Sequence, residues 1–213
     1  MDQLLIPIYS LLISKALSSL GYFLVKHTTD KYQTSGLESA VFVSLGALII
    51  MPWMHYYGII NIPFLFICAL LITFFTDAQT RLISRFVTLF LVPYTLAAAY
   101  LNYLPITFKE SLIGTLLGFG ILWAVSKIAF YVTKKESMGQ GDIDLLCFIG
   151  SFLGYIGMWY SLVLGALSGS LFGIGCLFLY GKKARSMPLP FGSFLSLGAI
   201  TVLYMMYGIL PVF

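Results

Sequence analysis

Long apolar runs, separated by short polar segments, follow one another along nearly the whole chain. None of the runs shows the polar face at helical spacing that a half-buried helix of a soluble protein would show. A run of roughly 20 apolar residues is long enough to cross a bilayer as a helix. We count eight runs, at residues 4–25, 39–57, 59–76, 86–104, 111–132, 143–158, 160–180 and 191–212. The pattern predicts an all-α, polytopic membrane helix bundle with about eight transmembrane helices.

The composition agrees with a membrane protein. Of the 213 residues, 60% are hydrophobic and only 9% are charged, whereas soluble domains carry roughly 25% charged residues. The first run (4–25) has no basic segment before it and no small-residue cleavage site after it, so we interpret it as a retained span. The three cysteines lie inside apolar runs without a CxxC pair, which supports neither a zinc site nor a disulfide framework.

Basic residues occur in alternate loops, and this alternation predicts the orientation of the chain. Loops after odd-numbered runs hold nine Lys and Arg residues, whereas loops after even-numbered runs hold one, Lys109. Because cytoplasmic loops are enriched in Lys and Arg, we expect the odd-numbered loops to face the cytoplasm and both termini to face outward. The nine residues are Lys26, Lys31, Arg81, Arg85, Lys134, Lys135, Lys182, Lys183 and Arg185.

Two acidic residues, Asp77 and Asp142, lie at the ends of apolar runs. An ionisable group at such a place is costly and marks a candidate functional site. Both fall at the predicted cytoplasmic boundary, so helix packing would bring the carboxylates face to face. Two close carboxylates cannot both ionise cheaply, so one keeps a proton, and the pair supplies a base for water and an acid for a leaving group. Gly139 and Gly141 leave room for a substrate backbone, although Gly-Asp is also an ordinary turn before a helix N-cap.

Three segments of the chain contain distinctive Asp, Gly and Pro residues. They are residues 77–84 (DAQTRLIS), 138–154 (MGQGDIDLLCFIGSFLG) and 189–198 (LPFGSFLSLG). In this order they resemble three segments of the bacterial type IV prepilin peptidases, which are GxGD membrane aspartic proteases: the first aspartate segment, the GxGD segment, and the Pro-Phe-Gly-x-Phe-Leu segment before the last helix. The resemblance covers roughly residues 60–200.

The resemblance implies an integral membrane aspartic endopeptidase that needs no metal or other cofactor, with Asp77 and Asp142 as its catalytic pair. Its substrates would be pilin, pseudopilin or competence-pilin precursors with basic leader peptides, cut at the cytoplasmic face of a bacterial inner membrane. The catalytic membrane domain would span residues 59–213, after an N-terminal helical pair at 1–58. Besides the precursor and the lipid bilayer we expect no nucleic-acid partner, and the oligomeric state is not readable from the sequence.

Three positions near the aspartates depart from the pattern of the family. Ser84 stands where the family usually has Pro, and the next residue is Arg85 rather than an acid or amide. Asp144 stands where the GxGD segment usually continues with Lys. We interpret Asp144 as a cap of the following helix, or as a charge that stabilises a basic leader. With Gly139 and Gly141, it makes up the predicted substrate-binding set.

The loop after the first run is short. Bifunctional members of the family carry a cytoplasmic insert there, with paired CxxC motifs suited to zinc, and they also methylate the new N-terminus of the pilin. In this chain the corresponding loop, from Val25 to Glu38, contains no cysteine. We therefore expect no zinc, and the missing motifs argue against N-methyltransferase activity.

Three other functions stay open. A presenilin-like intramembrane protease also uses GxGD, but it would resemble Tyr-Asp and Pro-Ala-Leu, whereas this chain has Thr76-Asp77 and Leu189-Pro190-Phe191. A small proton-coupled transporter also uses membrane carboxylates, although it would place them nearer the bilayer midplane. A relative that only binds pilin precursors would share the fold without the reaction.

Overall fold

The computed structural model describes residues 6–26, 36–57, 61–134, 139–181 and 189–211. Within these ranges all regular secondary structure is helical, which confirms the all-α prediction. Helices α3, α6 and α7 are long and apolar enough to cross a membrane, and α1, α5 and α8 contain shorter apolar stretches. The helices are α1 (Ile6–Lys26), α2 (Gly36–Tyr57), α3 (Ile62–Thr80), α4 (Arg85–Thr88), α5 (Leu91–Tyr100), α6 (Phe108–Thr133), α7 (Gln140–Tyr180) and α8 (Phe191–Met206).

The predicted runs match these helices with two differences. The fourth run is divided into α4 and α5, and the sixth and seventh runs together form α7. Most of the predicted loop from Val25 to Glu38 and the basic cluster of the seventh loop lie outside the described residues. The division into a helical pair at 1–58 and a catalytic domain at 59–213 stays a prediction.

Helix α7 consists of two halves joined at Gly154, which has φ 72° and ψ 179°. This backbone conformation is essentially restricted to glycine. The first half runs antiparallel to α6, because Gly118 lies against the backbone of Leu146 and Gly114 lies against that of Gly150. The missing side chains let the two helix backbones approach closely, as small residues do between membrane helices.

The second half of α7 runs antiparallel to α8. Just after the break, Gly157 lies near Val202 toward the end of α8, and further along Gly165 lies against the backbone of Leu195 near its start. Helices α7 and α8 both begin beside the loop that follows α3. The chain therefore reverses direction at Gly154, and α7 passes through the bundle twice.

The core of the bundle surrounds the first half of α7, where residues 143–154 are all buried. Phe66 of α3 stacks on Phe152 with ring centroids 3.9 Å apart, and it packs at an angle on Phe148 at 5.1 Å. This packing fixes the depth of α3 relative to α7, and so fixes the level at which the acidic residues near their ends meet.

Candidate active site

Asp77 lies in the last turn of α3. The helix ends at Arg81, which has φ 58° and donates its backbone N–H to the carbonyl oxygen of Asp77 at 2.8 Å. The Asp77 residue is only 4% exposed. Its Oδ2 accepts hydrogen bonds from the Ser193 backbone N–H at 2.6 Å and from the Ser193 hydroxyl at 3.0 Å. Helix α3 thus places Asp77 at the N-terminus of α8, where free N–H groups and the helix dipole stabilise a carboxylate.

Asp142 lies in the first turn of α7. The helix begins after Gly139, and the backbone N–H of Asp142 donates to the Gly139 carbonyl oxygen at 3.2 Å. The Asp142 side chain is partly buried. A Cβ atom added to Gly139 would lie 3.6 Å from the Asp142 Oδ2. The second carboxylate therefore also lies at a helix N-terminus, beside an open glycine position.

Ile83, in the loop between α3 and α4, joins the starts of α7 and α8. A Cβ atom on Gly141 would lie 2.7 Å from the Ile83 Cβ, and one on Gly192 would lie 2.6 Å from the Ile83 Cδ1. The same Cβ on Gly192 would lie 3.1 Å from the Asp77 Oδ2. Because Gly141 and Gly192 have no side chains, Ile83 can lie between the starts of the two helices. This convergence brings Asp77 and Asp142 close enough for their charges to repel each other.

An ion pair between an exposed guanidinium and a buried carboxylate joins α4 to the start of α7. The Nε of Arg85 donates to the Oδ2 of Asp144 at 2.7 Å, and the side chains are 59% and 2% exposed, respectively. The interpretation of Asp144 as a helix cap is wrong, because α7 begins after Gly139 and no side chain caps it. Two of the three departures from the family pattern, Arg85 and Asp144, are therefore partners. Substrate binding by Asp144 stays a prediction.

Gly139 and Gly141 were both predicted to leave room for a substrate, but their surroundings differ. Gly139 is exposed, and among the described residues the nearest atom to an added Cβ would be the Asp142 Oδ2 at 3.6 Å. At Gly141 the equivalent space is filled by Ile83. The described residues therefore leave room for an incoming backbone at Gly139 and leave none at the Cβ position of Gly141. Contact of either residue with a substrate stays a prediction.

Sequence reasoning assigned no role to Ile83, Gly192 or Ser193. Each lies inside a segment that resembles the family, Ile83 within 77–84 and the other two within 189–198. The resemblance of those segments to the family therefore pointed to the right parts of the chain. The resemblance could not show that Asp77 and Ser193 are hydrogen-bonded, because these residues are 116 positions apart in the sequence.

The fold and the site together define a polytopic helical membrane protein with two aspartates held at the starts of two helices. A sequence profile of the type IV leader peptidase family matches residues 64–178, which is more than half of the chain. The chain belongs to the type IV leader peptidase family. No solved structure matches it.

Curated relatives show the same likeness. The chain is 31% identical over 161 residues to a prepilin leader peptidase/N-methyltransferase of Dichelobacter nodosus, over 74% of this chain and 54% of that protein. It is 36% identical over 104 residues to the protein of that name in Aeromonas salmonicida, over 48% of this chain and 35% of the relative. It is 30% identical over 110 residues to an Escherichia coli leader peptide-processing enzyme for type 4 prepilin-like proteins, over 52% of this chain and 39% of that enzyme. The chain thus matches only about a third to a half of the length of these relatives.

Proposed function

We propose that this protein is a membrane aspartic endopeptidase that removes the leader peptide from type IV prepilin-like precursors. The observation that carries the proposal is the convergence of Asp77 and Asp142 at the starts of α8 and α7. Membership of the leader peptidase family and the names of the relatives support the same substrate class.

In this mechanism a water molecule between the two carboxylates is the nucleophile. The ionised carboxylate takes a proton from the water while the oxygen of that water forms a bond to the scissile carbonyl carbon. The protonated carboxyl group then delivers a proton to the amide nitrogen as the C–N bond breaks, which is general acid–base catalysis. The pair carries one net negative charge, and the positive ends of the α7 and α8 dipoles reduce the free-energy cost of holding it beside the bilayer.

The reaction would take place at the cytoplasmic face of a bacterial inner membrane. Arg81 ends α3 and Lys134 ends α6, and both helix ends lie at the end of the bundle that holds the aspartates. Clusters of Lys and Arg at helix ends are typical of the cytoplasmic side. The basic leader of the precursor would approach along the exposed Gly139, next to the partly buried Asp142.

The test is cleavage of a co-expressed pilin-like precursor by wild-type protein, Asp77→Asn and Asp142→Asn. Both substitutions keep the shape and remove the acid–base function, so each should slow cleavage by about 100-fold or more. Gly120→Ala is a matched control, since a Cβ atom there would meet nothing within 4 Å. Wild-type cleavage by either Asn variant would refute the proposal. A wild-type protein that cleaves no precursor, but moves protons only with both aspartates intact, would identify a transporter.

A further inference from the structure

The carboxyl group of Asp77 caps a helix to which it does not belong. Ser193 is the third residue of α8, so its backbone N–H has no partner within that helix and donates to the Asp77 Oδ2 at 2.6 Å. The residue before the helix, Pro190, provides no side-chain cap. Asp77 of α3 therefore supplies the cap for α8.

The Ser193 hydroxyl has two acceptors within reach. Its Oγ lies 3.0 Å from the Asp77 Oδ2 and 3.1 Å from the Phe74 carbonyl oxygen. A hydroxyl carries one proton and can also accept a hydrogen bond. When Asp77 is ionised, the hydroxyl donates to Asp77. When Asp77 is protonated, the hydroxyl can donate to the Phe74 carbonyl and accept from Asp77 instead.

The surroundings of Asp142 contrast with this arrangement. Within the described part of the chain, no group donates a hydrogen bond to the Asp142 carboxylate, and its nearest glycine position is open. Hydrogen bonds to the charged form of a carboxylate favour that form. Among the described residues, the two hydrogen bonds from Ser193 and the nearby positive charge of Arg81 therefore distinguish Asp77 from Asp142. The Ser193 hydroxyl is the side-chain donor among them.

We propose that Ser193 is a positioning residue that holds Asp77 as the water-activating base and leaves Asp142 as the proton donor. Through its hydroxyl, Ser193 keeps the Asp77 carboxylate in place while that group takes up and releases a proton in each turnover. This assignment rests on the proposed endopeptidase function and adds to it a division of roles within the pair.

The test measures kcat and KM for cleavage of a pilin-like precursor in membranes, per amount of folded enzyme, for Ser193→Ala and Ser193→Thr. The alanine variant loses a hydrogen bond to a charged group, so kcat should fall about tenfold or more, while KM stays close to wild type. The threonine variant keeps a hydroxyl and should recover most of the lost kcat. If the alanine variant fails to accumulate, Ser193→Cys takes its place. Because a thiol is a weak donor, its kcat should lie below those of wild type and Ser193→Thr, and a wild-type kcat for Ser193→Cys would count against the role of the hydroxyl.

Ser196→Ala is the matched control. Ser196 lies on the same helix and is fully buried, and its hydroxyl has no hydrogen-bond partner among the described residues. This substitution should leave kcat unchanged. A wild-type kcat for Ser193→Ala, with Asp77→Asn inactive, would overturn the role of Ser193 and leave the endopeptidase proposal intact. Equal losses of kcat in the alanine and threonine variants would also overturn it, because they would show a packing role.

Discussion

The two ends of the first half of α7 both require glycine, but for different physical reasons. At the Asp142 end, Gly141 lies in ordinary helix, and a side chain is excluded because Ile83 fills the space. At the other end, Gly154 has space, since its Cβ would meet no atom closer than 3.5 Å, but its φ is 72°. One glycine therefore permits a contact between elements, and the other permits a change of chain direction.

The two ends also differ in what surrounds them. The Asp142 end holds both aspartates and the ion pair of Arg85 with Asp144. The Gly154 end borders a largely apolar cleft of about 490 Å³. Substitution of Gly141 should therefore reduce the cleavage rate, whereas substitution of Gly154 should reduce the stability alone.

The largest of these effects is expected for Gly141→Ala. The new Cβ would lie 2.7 Å from the Ile83 Cβ, which no change of rotamer can relieve, so Ile83 and α7 must move apart. A displacement of catalytic groups by 1 Å can slow a reaction about 100-fold. Precursor cleavage per folded molecule should fall by that order, and the overpacking should also lower the free energy of unfolding by about 1–3 kcal/mol. Unchanged cleavage would show that Ile83 does not set the distance between the aspartates.

The ion pair should give the next effect. Arg85→Glu leaves the buried Asp144 without its partner, and loss of a hydrogen bond to a charged group costs about 1.5–3 kcal/mol of folding free energy. Asp144→Lys should be destabilising for the same reason. The double variant exchanges the charges and should recover most of both stability and cleavage. Chemical unfolding in detergent measures this, and a double variant no better than either single one would contradict the pairing.

Gly154→Ala tests the opposite end. Forcing a residue with a Cβ into the glycine-only conformation costs about 1–3 kcal/mol, so the free energy of unfolding should fall by that amount. Cleavage per folded molecule should stay at the wild-type level, because the aspartates lie at the other end. A loss of cleavage without a loss of stability would contradict the assignment of a purely structural role to Gly154.

The smallest effect is expected for Gly120→Ala. The position lies within α6, and no described residue would lie within 4 Å of an added Cβ. Replacing glycine by alanine inside a helix stabilises it by about 0.5–1 kcal/mol. A small rise in the unfolding midpoint with unchanged cleavage is expected, whereas reduced cleavage would show that this face of α6 contacts the precursor.

Much of the architecture could be predicted from apolar runs and charge, and its detailed contacts could not. The runs located the helices, and the placement of Lys and Arg put both aspartates at one end. The break in α7 was predicted between residues 158 and 160 and lies at Gly154, because several glycines follow one another there and sequence does not reveal which has a positive φ. The partner of Asp144 was missed, because Arg85 lies 59 positions away and only tertiary packing brings them together.

The central claim is that Asp77 and Asp142 act as one catalytic unit, and the most direct test compares Asp77→Asn, Asp142→Asn and the double variant. Cleavage rates are measured at saturating precursor concentration and matched amounts of folded protein. Groups that act together in one step have strongly non-additive effects. The double variant should therefore be about as slow as the slower single variant. A double variant whose loss equals the product of the two single losses would contradict the account.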